Sequence, residues 1–230
     1  MRRAGKRVYR KRAAKKGGRR RKTGALVNNR MAPFASRFIT KMKYSETITQ
    51  VGPGGGGLTQ FTMNLNSIQD PNRTGIGHQP YGHDTMATIY NRYRVIKCNY
   101  VISAVSTGGT TGNSLGIIAA LPANEVIGLT GGLAEAQENP RCKFITQAAQ
   151  AGPKVLKGSV YLPSLVGRSK AQYMADDRYQ ATYGTSPNEL AILNIFGGLL
   201  GGAAETVTTQ FNVLLEFVVE SFDYKQLSQS

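Results

Sequence analysis

The chain of 230 residues has no tryptophan, two cysteines, and no acidic residue ahead of Glu46. Each scarcity excludes something. Cys98 and Cys142 stand alone in the sequence. They give no disulfide framework and no metal-ligand spacing, and they read as two small buried thiols of a protein kept in a reducing compartment. Hydrophobic runs are short. The most apolar window, 190–204 (LAILNIFGGLLGGAA), contains Asn194 and four glycines and falls short of a bilayer span. The basic start has no apolar stretch behind it, so no secretory signal is expected, and the sequon Asn72-Arg73-Thr74 is read as coincidence. Long helical periods, βαβ alternation and internal repeats are also missing.

The lack of acid has a counterpart. Residues 1–43 hold seventeen Lys or Arg, while residues 44–230 hold twelve basic and thirteen acidic ones. The formal charge of +16 therefore divides into +17 on an arm and 12 − 13 = −1 on a body. The arm runs in blocks: Arg2-Arg3, Lys6-Arg7, Arg10-Lys11-Arg12, Lys15-Lys16 and Arg19-Arg20-Arg21-Lys22. Its charges repel and it has little to bury, so it is expected to be disordered until it meets a polyanion. Nucleic acid is the commonest polyanion. Tyr9 is the one aromatic among the first thirty residues. Base stacking is then minor, and binding runs through phosphate neutralisation without sequence readout. The same blocks fit a nuclear localisation signal or a tail on ribosomal RNA. Residues 25–42 carry Pro33, Phe34, Phe38 and Ile39 and are expected to dock on the body as a hinge, which gives an arm-and-hinge unit over 1–43 and a folded unit over 44–230.

The body reads as strands. Alternation and β-branched content mark 44–51, 58–65, 90–105, 114–121, 144–146, 155–162, 190–196 and 207–222. The first two, joined by the glycine run 52–57, read as a hairpin. Residues 66–84, with Pro71, Gly75, Gly77, Pro80 and Gly82, read as a loop, and 133–138 and part of 173–183 as short helices. Eight strands with irregular connections fit an all-β sandwich or barrel.

Enzymatic patterns match in form and fail in context. Gly52–Gly57 satisfies G-x-G-x-x-G, but a strand follows where a dinucleotide site needs a helix. No G-K-[ST] follows any glycine-rich stretch. Gly112-Asn113-Ser114-Leu115-Gly116 matches a nucleophile elbow, yet a strand follows it and both histidines precede it. His78, His83 and Asp84 lie close enough in sequence to ligate a metal but lack a completing Cys or Glu, and Asp176-Asp177 has Arg178 beside it. No catalytic residue, cofactor or metal site is assigned, and the chain is not read as an enzyme.

The loop and the strand after it read NSIQDPNRTGIGHQPYGHDTMATIYNRY-RVIKCNYVI. Asp70, Pro71, Gly77, His78, Gln79, Pro80, Gly82, Asp84, Tyr90, Tyr93 and Val95 fit the form D-P…G-H-Q-P-x-G-x-D…Y-x-x-Y-x-V. Together with the basic arm, this resembles capsid proteins of the circular Rep-encoding single-stranded DNA viruses, the circovirus-like group. Gly152-Pro153-Lys154 and DRYQATYGTSP (177–187) have the same character. The resemblance implies a single eight-stranded antiparallel jelly roll. It also implies sixty copies in a small icosahedral shell around single-stranded DNA, a virion location, and a nuclear stage served by host import machinery. Sixty such arms offer about a thousand positive charges against a comparable number of phosphates. A loop of this length is expected to be held by something. His78, Gln79, Tyr81, His83 and Asp84 are its candidate subunit-contact residues. Two other readings share the arm: the capsid of a small RNA or satellite virus, and a cellular nucleic-acid-binding protein. The second should spread its cations over the folded face.

Overall fold

The segment at the end of the body shows why it is built of sheet. Phe211, Val213, Leu215, Phe217 and Val219 are fully buried, and the residues between them are half-buried or exposed. That two-residue period is the signature of a strand with one core face. The structure, a computed structural model, describes residues 34–52, 59–107, 115–129, 133–148, 152–200 and 207–226. The arm's basic blocks over 2–22 lie outside the described residues.

Nine strands occur among the described residues: β1 (Arg37–Gly52), β2 (Thr59–Asn64), β3 (Tyr90–Thr107), β4 (Leu115–Ala123), β5 (Lys143–Ala148), β6 (Lys154–Tyr161), the three-residue β7 (Gln180–Thr182), β8 (Ile192–Leu200) and β9 (Val207–Tyr224). Short helices α1 (His83–Ile89), α2 (Leu133–Glu138), α3 (Leu162–Leu165) and α4 (Lys170–Ala175) fill the connections. One sheet has the order β1-β9-β3-β6, with β7 also on β3, and the other the order β2-β8-β4-β5. All pairings are antiparallel. Leaving β7 aside, the first strand pairs with the last, the second with the seventh, the third with the sixth and the fourth with the fifth. These nested pairs alternate between the two sheets. That is the wiring of a jelly roll, as the sequence led one to expect.

The sheets meet across one core. Phe61 and Met63 of β2, Ile118 and Ala120 of β4, and Leu193 and Ile195 of β8 pack with Tyr100, Ile102, Phe211, Val213, Leu215 and Phe217 from the other sheet. A register shift between Val95 and Lys97 exchanges the parity of β3. Tyr93 and Val95 point inward before it, and Cys98, Tyr100, Ile102 and Ala104 after it. A second apolar cluster, Ile117, Ala119, Leu121 and Phe196 with Ala136 of α2, covers the far side of the β4–β8 pair. Those two strands are thus buried on both faces, which explains the apolar window. Asn194 sits fully buried within it. Its Nδ2 donates to Leu121 O and Glu125 O, and its Oδ1 accepts from Gln60 Nε2 and Ile127 N at 3.1 Å each. A buried amide so satisfied ties the 121–127 connection to the sheet.

Three elements depart from the sequence reading, and the polar stretch near 173–183 is helical in part as read but also holds β7. β1 and β2 form no hairpin. β1 pairs with β9 over sixteen matched positions, β2 lies in the opposite sheet, and the glycine run connects sheets rather than turning within one. β1 starts at Arg37, not at Tyr44, so residues 37–43 are sheet residues rather than hinge. Their Lys and Arg occupy the outward face, and the charge masks the alternation. Helix α1 follows Gly82, whose φ of 87° is the left-handed turn that glycine permits, where composition pointed to loop up to Asp84. The polar stretch after residue 170 holds α4, a one-turn 3-10 helix at Asp177–Tyr179 and β7.

Gly158 of β6 lies directly opposite Tyr100 of β3, and a Cβ there would run into the buried Tyr100 ring. Gly158→Ala is expected to cost about 1–3 kcal/mol by overpacking, read as a lower denaturation midpoint at unchanged slope. An unchanged midpoint would show that the ring has room to move.

Candidate functional site

The first half of the loop after β2 is built into the molecule. Asn66, Ser67 and Ile68 are buried. Asn66 Nδ2 donates to Glu189 O at 2.7 Å, and Asn66 Oδ1 accepts from Ala191 N at 2.9 Å. Ser67 Oγ meets Ser186 Oγ at 2.8 Å. Asn64 Nδ2 donates to Asp70 O, and Asn64 N donates to Pro71 O. Asn72 Nδ2 lies 2.8 Å from both carboxylate oxygens of Glu46 on β1, and Asn72 Oδ1 accepts from the amide and hydroxyl of Thr74. Tyr44 Oη also donates to Glu46. Glu46 thus joins strand and loop with a charge-assisted pair of bonds. The cost falls on a neighbour: burial first, then the Glu46 charge, pushes the Asp70 carboxyl above the ordinary carboxylate value.

The second half of the loop turns outward. Gly77 passes so close to Tyr44 Oη and Asn72 Cβ that a side chain there would collide at 2.6 and 2.9 Å. His78 is exposed and stacks on Tyr44, with ring centroids 4.6 Å apart. Gln79 is half-buried. Ile76 and Tyr81 are 85% and 95% exposed, the two most exposed large apolar residues of the described body. His83 differs. It is buried, edge-on to Tyr183 at 5.3 Å, with Nδ1 2.9 Å from Asp84 Oδ1, and Tyr183 in turn bonds Ser221. Of the five candidate contact residues, His78, Gln79, Tyr81 and Asp84 reach the surface. His83 faces inward and is a support for Asp84 instead. The Asn64–Asn66–Asn72 anchors were missed from sequence. Their signal, asparagines at a strand end and along the loop after it, is common in ordinary turns.

The candidate metal pairs have other employment. Asp176 accepts from Arg178 Nε and Nη2 at 3.0 and 2.8 Å, and these bonds hold its carboxyl down at about 2. Asp177 accepts from Gln180. Among the described residues no three His, Cys, Asp or Glu side chains converge as metal ligands. Cys98 is fully buried in the sheet, and burial pushes its thiol far up. Among the described residues, too, no helix is long and apolar enough to cross a membrane.

No protein-family model matches the chain, and no curated protein does. Solved structures similar in arrangement include the virus-like particle of the Macrobrachium rosenbergii nodavirus, 8% identical over 85% of this chain and 100% of that one at a TM-score of 0.45. Tobacco necrosis virus is 13% identical over 82% and 98% at 0.40. The empty head of turnip yellow mosaic virus is 8% identical over 86% and 87% at 0.37. With identities and scores this low, no relationship follows from them.

The raised Asp70 carboxyl gives a signed expectation. A carboxyl raised in the folded state contributes stability below its ordinary value of about 3.9 and loses it as pH rises through the folded value. Asp70→Asn should therefore raise the melting temperature at neutral pH, with the gain vanishing near pH 3. An equal gain at both pH values would place its origin in something other than the charge.

Proposed function

We propose that this chain is a viral capsid protein. Its jelly-roll body assembles with identical copies into a closed icosahedral shell, and its basic arm packages single-stranded nucleic acid. The observation that carries the proposal is the union, in one chain, of a jelly roll with an acid-free segment of seventeen cations over residues 1–43. A body near neutrality suits close packing of identical subunits, whose like charges would otherwise repel. A cellular nucleic-acid-binding protein is expected to spread its cations over the folded face, whereas seventeen of the twenty-nine here lie in residues 1–43.

The finer reading is sixty copies around single-stranded DNA, with the arm also serving nuclear import. It rests on the loop resemblance, because phosphate contacts alone do not separate DNA from RNA. The arm residues proposed to neutralise phosphate are the thirteen Lys and Arg of residues 1–22. The proposed contact between copies is the outward half of the loop, where Ile76 and Tyr81 stand in solvent on a segment anchored by Asn72 and Glu46. An apolar side chain held out on a fixed base is the form of an interface anchor.

Two experiments test the proposal. Purified full-length chain viewed by electron microscopy should form uniform shells about 20 nm across that protect nucleic acid from nuclease. Deleting residues 1–22 should leave the melting temperature of the body nearly unchanged while the protected nucleic acid is lost. Protection of genome-length nucleic acid by the truncated chain would refute the arm's role. Sequencing what the full-length particles hold decides between DNA and RNA.

Ile76→Ser with Tyr81→Ser should block shell assembly and leave a folded, soluble subunit with an unchanged circular dichroism spectrum. Normal shells from that variant would show the loop to be a free surface feature.

A further inference from the structure

The last three cations of the acid-free segment are not in the arm. Arg37, Lys41 and Lys43 lie on β1, and strand alternation turns all three to the face opposite Met42 and Tyr44, which are buried. The pairing register shows what stands beside them. Lys41 is opposite Val218 of β9, which is opposite Lys97 of β3, so two lysines share one row two strands apart, roughly 10 Å. Lys43 is opposite Glu216, which is opposite Asn99. One row further, Lys157 of β6 is opposite Val101. Arg94 is on the same face, beneath Phe222 and Gln180.

With Arg92, which stands opposite Phe222 and lies 3.9 Å from Asp223 at the strand end, seven cations share this face with two carboxylates, and both carboxylates are engaged. Glu216 accepts from Lys41 Nζ and from Asn99 Nδ2 at 3.0 Å each, which holds its carboxyl below the usual range. Glu220 accepts from Arg37 at 3.3 Å and lies 3.9 Å from Arg94. Lys43, Lys97 and Lys157 make no ion pair among the described residues. From residue 37 onward the chain carries 3 + 12 − 13 = +2. This face carries 7 − 2 = +5, so the rest of the body is at 2 − 5 = −3. The positive charge of the body is gathered on one sheet face.

We infer that this outward face of the β1-β9-β3-β6 sheet is a second phosphate-binding surface, which takes the backbone of a single-stranded nucleic acid through Lys43, Lys97 and Lys157. The inference rests on the packaging reading and deepens it by adding registered contacts on the folded body to the arm. A contact between copies of this chain fits the face poorly, because interface centres are depleted in charge and these charges are alike. A phosphate chain supplies the missing countercharge and releases condensed counterions as it binds. Arg37 and Lys41 keep their carboxylate partners, so the three free lysines carry the contact.

The test uses the full-length chain with oligothymidylate and, in parallel, oligouridylate as probes over a range of NaCl concentrations. The triple variant Lys43→Gln, Lys97→Gln, Lys157→Gln should flatten the slope of log affinity against log salt by about 2, at roughly 0.7 per lost contact to a single strand. Both probes should respond alike for a surface that reads phosphate, and a change confined to one probe would overturn that. A wild-type slope in the triple variant overturns the face while leaving the arm intact. Absence of salt-dependent binding in the wild-type chain overturns the packaging reading itself. A second measurement needs no variant: lysine acetylation of the wild-type chain, mapped by mass spectrometry. Oligothymidylate should protect Lys43, Lys97 and Lys157. Equal modification with and without the oligonucleotide overturns the proposal, and so does protection that persists without it, which would make the face a contact between copies.

Discussion

The register between β1 and β9 is the constraint on which the rest depends. It joins residue 37 to residue 222 and residue 52 to residue 207, and so closes the roll with its two most distant strands. Local preference does not bring such segments together. The loop-closure entropy of the whole body must be met before the pair forms. The inner faces offset it, Met42 and Tyr44 on one strand and Phe211 to Val219 on the other, all withdrawn from water. A slip by one residue would put Lys41 and Lys43 into the core and Tyr44 into solvent. The core therefore fixes the register, and the register fixes which cations face outward.

Tyr44 and Glu46 carry that constraint into the loop. Both sit on β1 at positions set by the same register. Glu46 receives Asn72, while Tyr44 donates to Glu46 and stacks on His78. The loop's exposed end thus hangs from the closing strand, with Gly77 needed where it passes over the tyrosine. Asp70 is the one group this arrangement disfavours at neutral pH, being drawn near Glu46 as its backbone carbonyl serves Asn64.

What was legible in the sequence follows from which physics is local. The strands β3 and β9 could be read from their alternation and β-branched content, as could the all-β class and eight of the nine described strands, the three-residue β7 being missed. Partnership is not local, and a hairpin was read between β1 and β2 because adjacency and a glycine run are what a hairpin looks like in one dimension. The start of β1 was hidden because Arg37, Lys41 and Lys43 gave strand residues the composition of the arm. Helix α1 was hidden by the glycines and prolines just before it. For the loop, sequence identified the segment and the surface residues His78, Gln79, Tyr81 and Asp84. It did not show that His83 turns inward against Tyr183, because a histidine carries no sign of its own burial. Of the asparagine anchors, Asn66 depends on partners more than a hundred residues away, Glu189 and Ala191, and no local pattern marks it.

The acid-free segment then divides into two kinds of cation. Those of residues 2–22 follow no period that a fold would enforce, and a chain of phosphates can meet them in any order. Arg37, Lys41 and Lys43 are held at fixed rows of a sheet, with two carboxylates between them and the cations of β3. A carboxylate placed there lowers the repulsion that seven like charges on one face would impose on folding. Glu220 lies between Arg37 and Arg94, and Glu216 takes Lys41, so the body reaches its fold with its cations partly compensated. Lys43, Lys97 and Lys157 are left without an ion pair among the described residues, with Glu216 standing opposite Lys43. One chain therefore carries its positive charge in two ways. The dense part lies in a stretch poor in apolar residues, and the sparse part where strand register assigns each cation its place.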